Sequence, residues 1–127
     1  MPFKIFINGT RTLGENLADI GGNKVAYYAY LQWQKDKGDK DILPNIPDTS
    51  NNANKLFWIR AAQRFCATMP NEDLKEEIDS KYTVHTVLGF RTNGSTMLSK
   101  EFANDFECSK GTPMNPVKSF NFWDVMV

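Results

Sequence analysis

The chain has 127 residues, enough for one domain with a modest core but small for a hydrolase with a deep cleft. Its 15 basic residues balance its 15 acidic ones, which argues against nucleic acid or an anionic membrane as the partner. No apolar run approaches the roughly 18–20 residues of a membrane span, and Phe3–Ile7 is too short for the apolar part of a signal peptide.

Phe3–Ile7 reads as a short strand, ended by the turn dipeptide Asn8-Gly9. The longest helical pattern follows, from Leu13 to Lys37, with Gly38 as its stop. Within it Glu15 and Asp19 are four residues apart, so they project from one face. At about 100° per residue that face also carries Ala18, Gly22, Ala26, Ala29 and Trp33. The opposite face carries Leu13, Leu17, Ile20, Tyr27 and Leu31, with Lys24 among them, and a helix with two apolar faces is expected to be buried on both. Two carboxylates there need partners or a metal. The plainer reading is a capping box, with Thr12 and Glu15 satisfying backbone N–H groups at the helix start. Gly21-Gly22 costs helix stability, about 1 kcal/mol per Gly against Ala, and points to close approach by another element.

Asp39–Asn52, with Pro44 and Pro47, reads as an exposed loop. A second helix is predicted over Ala53–Thr68, with Trp58, Ile59, Ala62, Phe65, Cys66 and Met69 on one apolar face and Pro70 as its stop. Asn71 is placed to cap a short charged helix through Ser80. Tyr82–Leu88 reads as strand or extended loop. A last short helix is predicted over Lys100–Phe106, capped by Ser99, with Phe102 and Phe106 turned inward. Gly111–Pro116 is turn-rich and should lie irregularly on the surface. The whole is mainly α.

Phosphate-binding glycine loops, G-x-S-x-G elbows and C-x-x-C pairs are missing. The single histidine, His85, has no zinc spacing to the two cysteines, and a lone histidine is more often structural than chemical. Cys66 and Cys108 have three options: to pair, to stay free, or to pair with something outside this chain. Asn8-Gly9-Thr10 and Asn93-Gly94-Ser95 are glycosylation sequons, with Asn8 and Asn93 as acceptors only if the chain is secreted.

Taken together, Asn8-Gly9, Thr12-Leu13-Gly14-Glu15-Asn16-Leu17-Ala18-Asp19, Gly21-Gly22, Ala26-Tyr27 and Ala29-Tyr30 closely resemble the neprilysin and endothelin-converting enzyme family of zinc metallopeptidases. So do Leu43-Pro44, Gln63-Arg64-Phe65-Cys66, the His85 to Arg91 spacing, Phe106-x-Cys108-x-Lys110-Gly111-x-Pro113-Met114-Asn115-Pro116 and Trp123. The resemblance covers almost the whole chain and implies the helical C-terminal portion of a gluzincin-type catalytic domain, residues 1–127, with a short N-terminal strand. It implies zinc as cofactor and peptides as substrates. Glu15 would be the third zinc ligand and Asp19 the carboxylate that orients a zinc-bound histidine. His85 would stabilise the oxyanion, and Arg91 would bind a backbone carbonyl of the substrate. Cys66 and Cys108 would form disulfides with a distant N-terminal part, and the setting would be extracellular.

Departures from the family pattern bound what the chain does. Thr86-Val87-Leu88 replaces a Ser-Pro-Gly-like run after His85, Phe120 replaces the last cysteine, and Asp124–Val127 extends past the usual end. H-E-x-x-H is absent, and with it two histidine ligands and the glutamate that activates water. The expectation is the C-terminal part of a zinc endopeptidase, inactive alone, whose two histidine ligands come from an upstream portion or a partner chain. The alternative is a short, non-catalytic peptide-binding or protein-interaction module, which would leave one apolar face of the long helix uncovered.

Overall fold

The computed structural model describes residues 6–37 and 52–118. Five helices carry them: α1 (Gly9–Lys37), α2 (Asn52–Gln63), α3 (Asn71–Asp79), α4 (Leu88–Met97) and α5 (Lys100–Asp105). The protein is mainly helical, as the sequence predicts. Among the described residues the only β pairing is an isolated antiparallel bridge between Thr112 and Asn115. The predicted strand lies mostly outside the described residues, and its last two, Phe6 and Ile7, carry no strand pairing. The expected loop also lies outside them, except for Asn52, which opens α2.

α1 begins four residues earlier than predicted because Asn8 caps it. The Asn8 Oδ1 atom accepts from the Arg11 N–H at 3.0 Å, and the Asn8 carbonyl accepts from the Thr12 N–H at 3.1 Å. Thr12 is therefore inside the helix, 2% exposed, and its hydroxyl donates back to the Asn8 carbonyl. The capping-box reading of Thr12 and Glu15 is overturned.

The buried face of α1 is not either of the apolar faces. It is the line Thr12, Asp19, Asn23 and Tyr27, at seven- and four-residue steps, while Leu13, Val25, Tyr28 and Trp33 are exposed. α1 packs chiefly against α4, whose hydroxyls make this polar contact tolerable. Thr92 and the buried Ser95 and Thr96 each donate to a carbonyl four residues back, so their hydroxyls are already satisfied. Gly22 has open space where a Cβ would stand, so close approach by a described element is not its explanation.

At the far end of α1 the core is aromatic. Tyr27 stacks on Trp58 with ring centroids 4.7 Å apart, Phe57 meets both edge-on, and Phe102 bridges Trp58 to Phe106. One carboxylate sits among these rings. Asp105 is 8% exposed and accepts from the Tyr27 hydroxyl and the Trp58 indole N–H, both at 2.7 Å, and more distantly from Asn54. It ties α1, α2 and α5 together.

Other boundaries differ from expectation. α2 ends five residues early, in turns closed by Phe65 to Ala62 and Cys66 to Gln63, so Cys66 and Met69 lie beyond it and are exposed rather than packed; Ile59, within α2, is exposed as well. Asn71 is the first helical residue of α3; the capping position belongs to Pro70, with no side-chain cap. Tyr82–Val87 is irregular, and α4, unforeseen, follows it. Ser99 caps α5 as predicted, accepting from the Phe102 N–H at 3.1 Å. α5 closes in a Schellman arrangement: Cys108 N–H to Ala103 O, Glu107 N–H to Asn104 O, and Glu107 at φ 55°. The turn-rich tail behaves as expected, with Gly111 at φ 91°.

Candidate active site

Glu15 and Asp19 emerge from adjacent turns of α1, and the α3–α4 connection with α4 brings His85 and Arg91 to them. His85 Nε2 lies 2.8 Å from Glu15 Oε2, with both side chains close to half exposed. Asp19 is deeper, 8% exposed, and accepts a bidentate pair from Arg91: Nε to Oδ2 at 2.7 Å and Nη2 to Oδ1 at 2.8 Å. The four residues singled out in the sequence thus form two contacts on one side of α1. Arg91 is pinned further by the ring of Phe65, whose centroid lies 4.7 Å from its guanidinium carbon. The hydrogen bond to Asp19 raises the Arg91 pKa above its ordinary value; burial opposes this, and the charges of Asp19 and Glu15 add to it.

Supporting contacts hold the helices in register. Thr86 donates to Asn16 Oδ1 at 3.3 Å, beside His85 in sequence, and Asn23 donates to Ser95 Oγ at 2.9 Å. A second arginine, Arg64, reaches this network from the end of α2. Its Nη2 lies 3.4 Å from Asn23 Oδ1 and 3.7 Å from Asp19 Oδ1, and its guanidinium also stacks on Phe65, at 4.5 Å. The sequence places Phe65 on an apolar helix face and Ser95 in a sequon, and it gives Arg64, Phe65, Asn23 and Ser95 no part in the site. Only the polar step from Asp19 to Asn23 to Tyr27 on one helix hinted at a polar seam.

A cavity of about 340 Å³ flanks the site, bounded by Asn16, Asp19, Ile20, Phe90 and Arg91 among others. A second, of about 440 Å³, runs between α1 and α2 with Ala26, Leu56 and Phe57 in its wall and Arg60 and Arg64 at its edge.

The donor set suits zinc only in part. Glu15 offers an accessible carboxylate oxygen of the right kind. Asp19 has both oxygens committed to Arg91. Among the described residues no three His, Cys, Asp or Glu side chains converge as a metal site. Cys66 and Cys108 are both free thiols here, Cys66 exposed and Cys108 half-buried. The sequon residue Asn8 caps α1 and Asn93 lies on α4, both exposed. No described helix is long and apolar enough to cross a membrane.

The family model for peptidase family M13 matches residues 2–121. Neprilysin-2 of Drosophila melanogaster is 41% identical over 117 residues, covering 92% of this chain and 14% of that protein. Endothelin-converting enzyme 1 of Rattus norvegicus is 42% identical over 117 residues, covering 92% and 15%. Endothelin-converting enzyme-like 1 of Mus musculus is 37% identical over the same span, covering 92% and 14%. The chain therefore spans about one seventh of the length of these relatives.

Proposed function

The chain belongs to peptidase family M13, and we propose that it supplies the C-terminal share of a zinc metalloendopeptidase site that cleaves small peptides. Glu15 is the third zinc ligand in this reading, with the two histidine ligands outside this chain. Bound zinc would polarise the scissile carbonyl and lower the pKa of the attacking water. The protein's own residues do the rest. Asp19 holds Arg91 by two hydrogen bonds, leaving the Nη1 edge of the guanidinium outside that grip to receive a substrate carbonyl. With the second lone pair of one of its oxygens, Asp19 would also orient a zinc-bound histidine once the metal helix is present. His85 supplies an N–H to the oxyanion, because Glu15 exchanges its hydrogen bond to His85 for the metal.

The observation that carries the reading is the convergence of Glu15, Asp19, His85 and Arg91 on one side of α1, across about seventy residues of sequence. The exposed Leu13, Val25, Tyr28 and Trp33 on α1 suit a helix made to be covered by a further segment or partner chain. The setting is extracellular in this reading, with Cys66 and Cys108 available for disulfides to other parts of the parent. The alternative, a non-catalytic peptide-binding module, uses the same Arg91 surface.

The test is peptide hydrolysis by the pure chain with zinc, alone and after co-folding with a chain that carries H-E-x-x-H. The expected result is no cleavage alone and chelator-sensitive cleavage by the complex. Chelator-sensitive cleavage by the pure chain would contradict the division of ligands.

A further inference from the structure

Asp19 already accepts a short contact on each oxygen from Arg91, at 2.7 and 2.8 Å, yet a second guanidinium, Arg64, stands beside it at 3.7 Å. Arg64 is not there to neutralise a buried acid that lacks a partner. It carries five N–H donors, and its contacts to Asn23 and Asp19 are both long. Half of its side chain is open to solvent. It is nevertheless placed, stacked at 4.5 Å on the same Phe65 ring that carries Arg91. Glu15, the other acid of this face, is turned to His85. Two guanidinium groups therefore share one ring and one carboxylate, with Arg60 at the edge of the same groove as Arg64.

We infer that Arg64 is a specificity-determining residue: beside Arg91 it forms an anion-accepting pair that selects peptides bearing a side-chain carboxylate next to the residue whose carbonyl Arg91 holds. This rests on the peptide-binding reading of Arg91 above. The chemistry is the usual match between a planar guanidinium and a carboxylate. The apolar wall of Ala26, Leu56 and Phe57 takes the neighbouring apolar side chain of the peptide. Arg64 acts on choice of peptide, whereas Arg91 holds any peptide backbone.

Two blocked tripeptides that differ by one charge, Ac-Phe-Glu-Ala-NH2 and Ac-Phe-Gln-Ala-NH2, test this against the full chain. The readout is NMR titration of the arginine Nε–H signals. The Glu peptide is expected to bind about fivefold more tightly, the scale of one half-exposed charge-assisted hydrogen bond. Arg64→Gln brings the Glu-to-Gln binding ratio to about one. Arg64→Glu, at a position open enough to leave the fold intact, reverses the preference towards Ac-Phe-Lys-Ala-NH2. Equal binding of the Glu and Gln peptides by the unaltered chain overturns the inference alone. Failure of both peptides to perturb Arg91 overturns it together with the peptide-binding reading.

Discussion

α1 is held at its two halves by different physics. Towards Tyr27 it is gripped by an aromatic cluster whose rings surround one acceptor, the carboxylate of Asp105. Towards Glu15 it is gripped by a polar seam of Asn16–Thr86, Asp19–Arg91 and Asn23–Ser95. The first buries apolar area, and its one charge is enclosed and committed. The second buries little apolar area, and its charged groups reach from an 8% exposed Asp19 out to the half-open Glu15 and His85. The aromatic half is a closed core, whereas the polar half leaves charged groups open to solvent.

That contrast is breakable from either side, and the largest effect should come from the aromatic half. Asp105→Ala strands the Tyr27 hydroxyl and the Trp58 N–H without an acceptor, each a buried group. Unfolding in urea should register a loss of about 3–4 kcal/mol, with the near-UV signal of Trp58 altered. Asp19→Ala in the polar half leaves Arg91 unpaired but with 19% of its side chain accessible to water. Because water reaches the freed guanidinium, the expected loss is smaller, about 1–2 kcal/mol, with the Arg91 Nε–H exchanging faster while the aromatic signals stay put.

The two halves should also differ in alkali. Burial, with the hydrogen bond to Asp105 and nearby negative charge, raises the Tyr27 pKa far above its usual 10. A raised folded pKa gives stability that is complete below the unfolded value and fades as pH climbs beyond it. Stability should therefore decline above about pH 10, and Tyr27→Phe should flatten that decline. Glu101 supplies the acid-side counterpart. Burial pushes its carboxyl up, but its own backbone hydrogen bond, those with Tyr28 and Ser99, and the charge of Lys24 outweigh this and hold it below the ordinary 4.5. Its contribution is present above that value and is lost as pH falls through the lowered one; Glu101→Gln should blunt the acid limb of a stability–pH curve. The smallest effect belongs to the cap of α5. Glu107 sits at φ 55°, a region that suits glycine, so Glu107→Gly should stabilise by about 0.5–1 kcal/mol in the same urea assay.

The parts legible in the sequence were those with local signals. The i, i+4 spacing put Glu15 and Asp19 on one face, and Ser99 announced α5. Family resemblance, rather than any spacing, put His85 and Arg91 with the acids. α4 was missed because Leu88–Met97 carries Gly89, Gly94, Asn93 and two threonines, all weak helix formers. Its stability comes from packing on α1 and from hydroxyls bonded to its own carbonyls, neither visible as periodicity. Asn8-Gly9 looked like a turn, yet Asn is equally at home capping a helix. The buried stripe of α1 escaped notice because it is polar: amphipathic reasoning searches for apolar faces, and Thr12, Asp19 and Asn23 are buried through partners more than seventy residues away or through their own helix.

Under the proposed function Glu15 would give one carboxylate oxygen to a zinc shared with another segment. Zinc content of the complex with an H-E-x-x-H-bearing chain measures it most directly, by metal analysis after gel filtration. The account predicts one zinc per complex with the unaltered chain and almost none with Glu15→Gln, the complex itself remaining assembled. Retention of a full equivalent of zinc by the Glu15→Gln complex would contradict it.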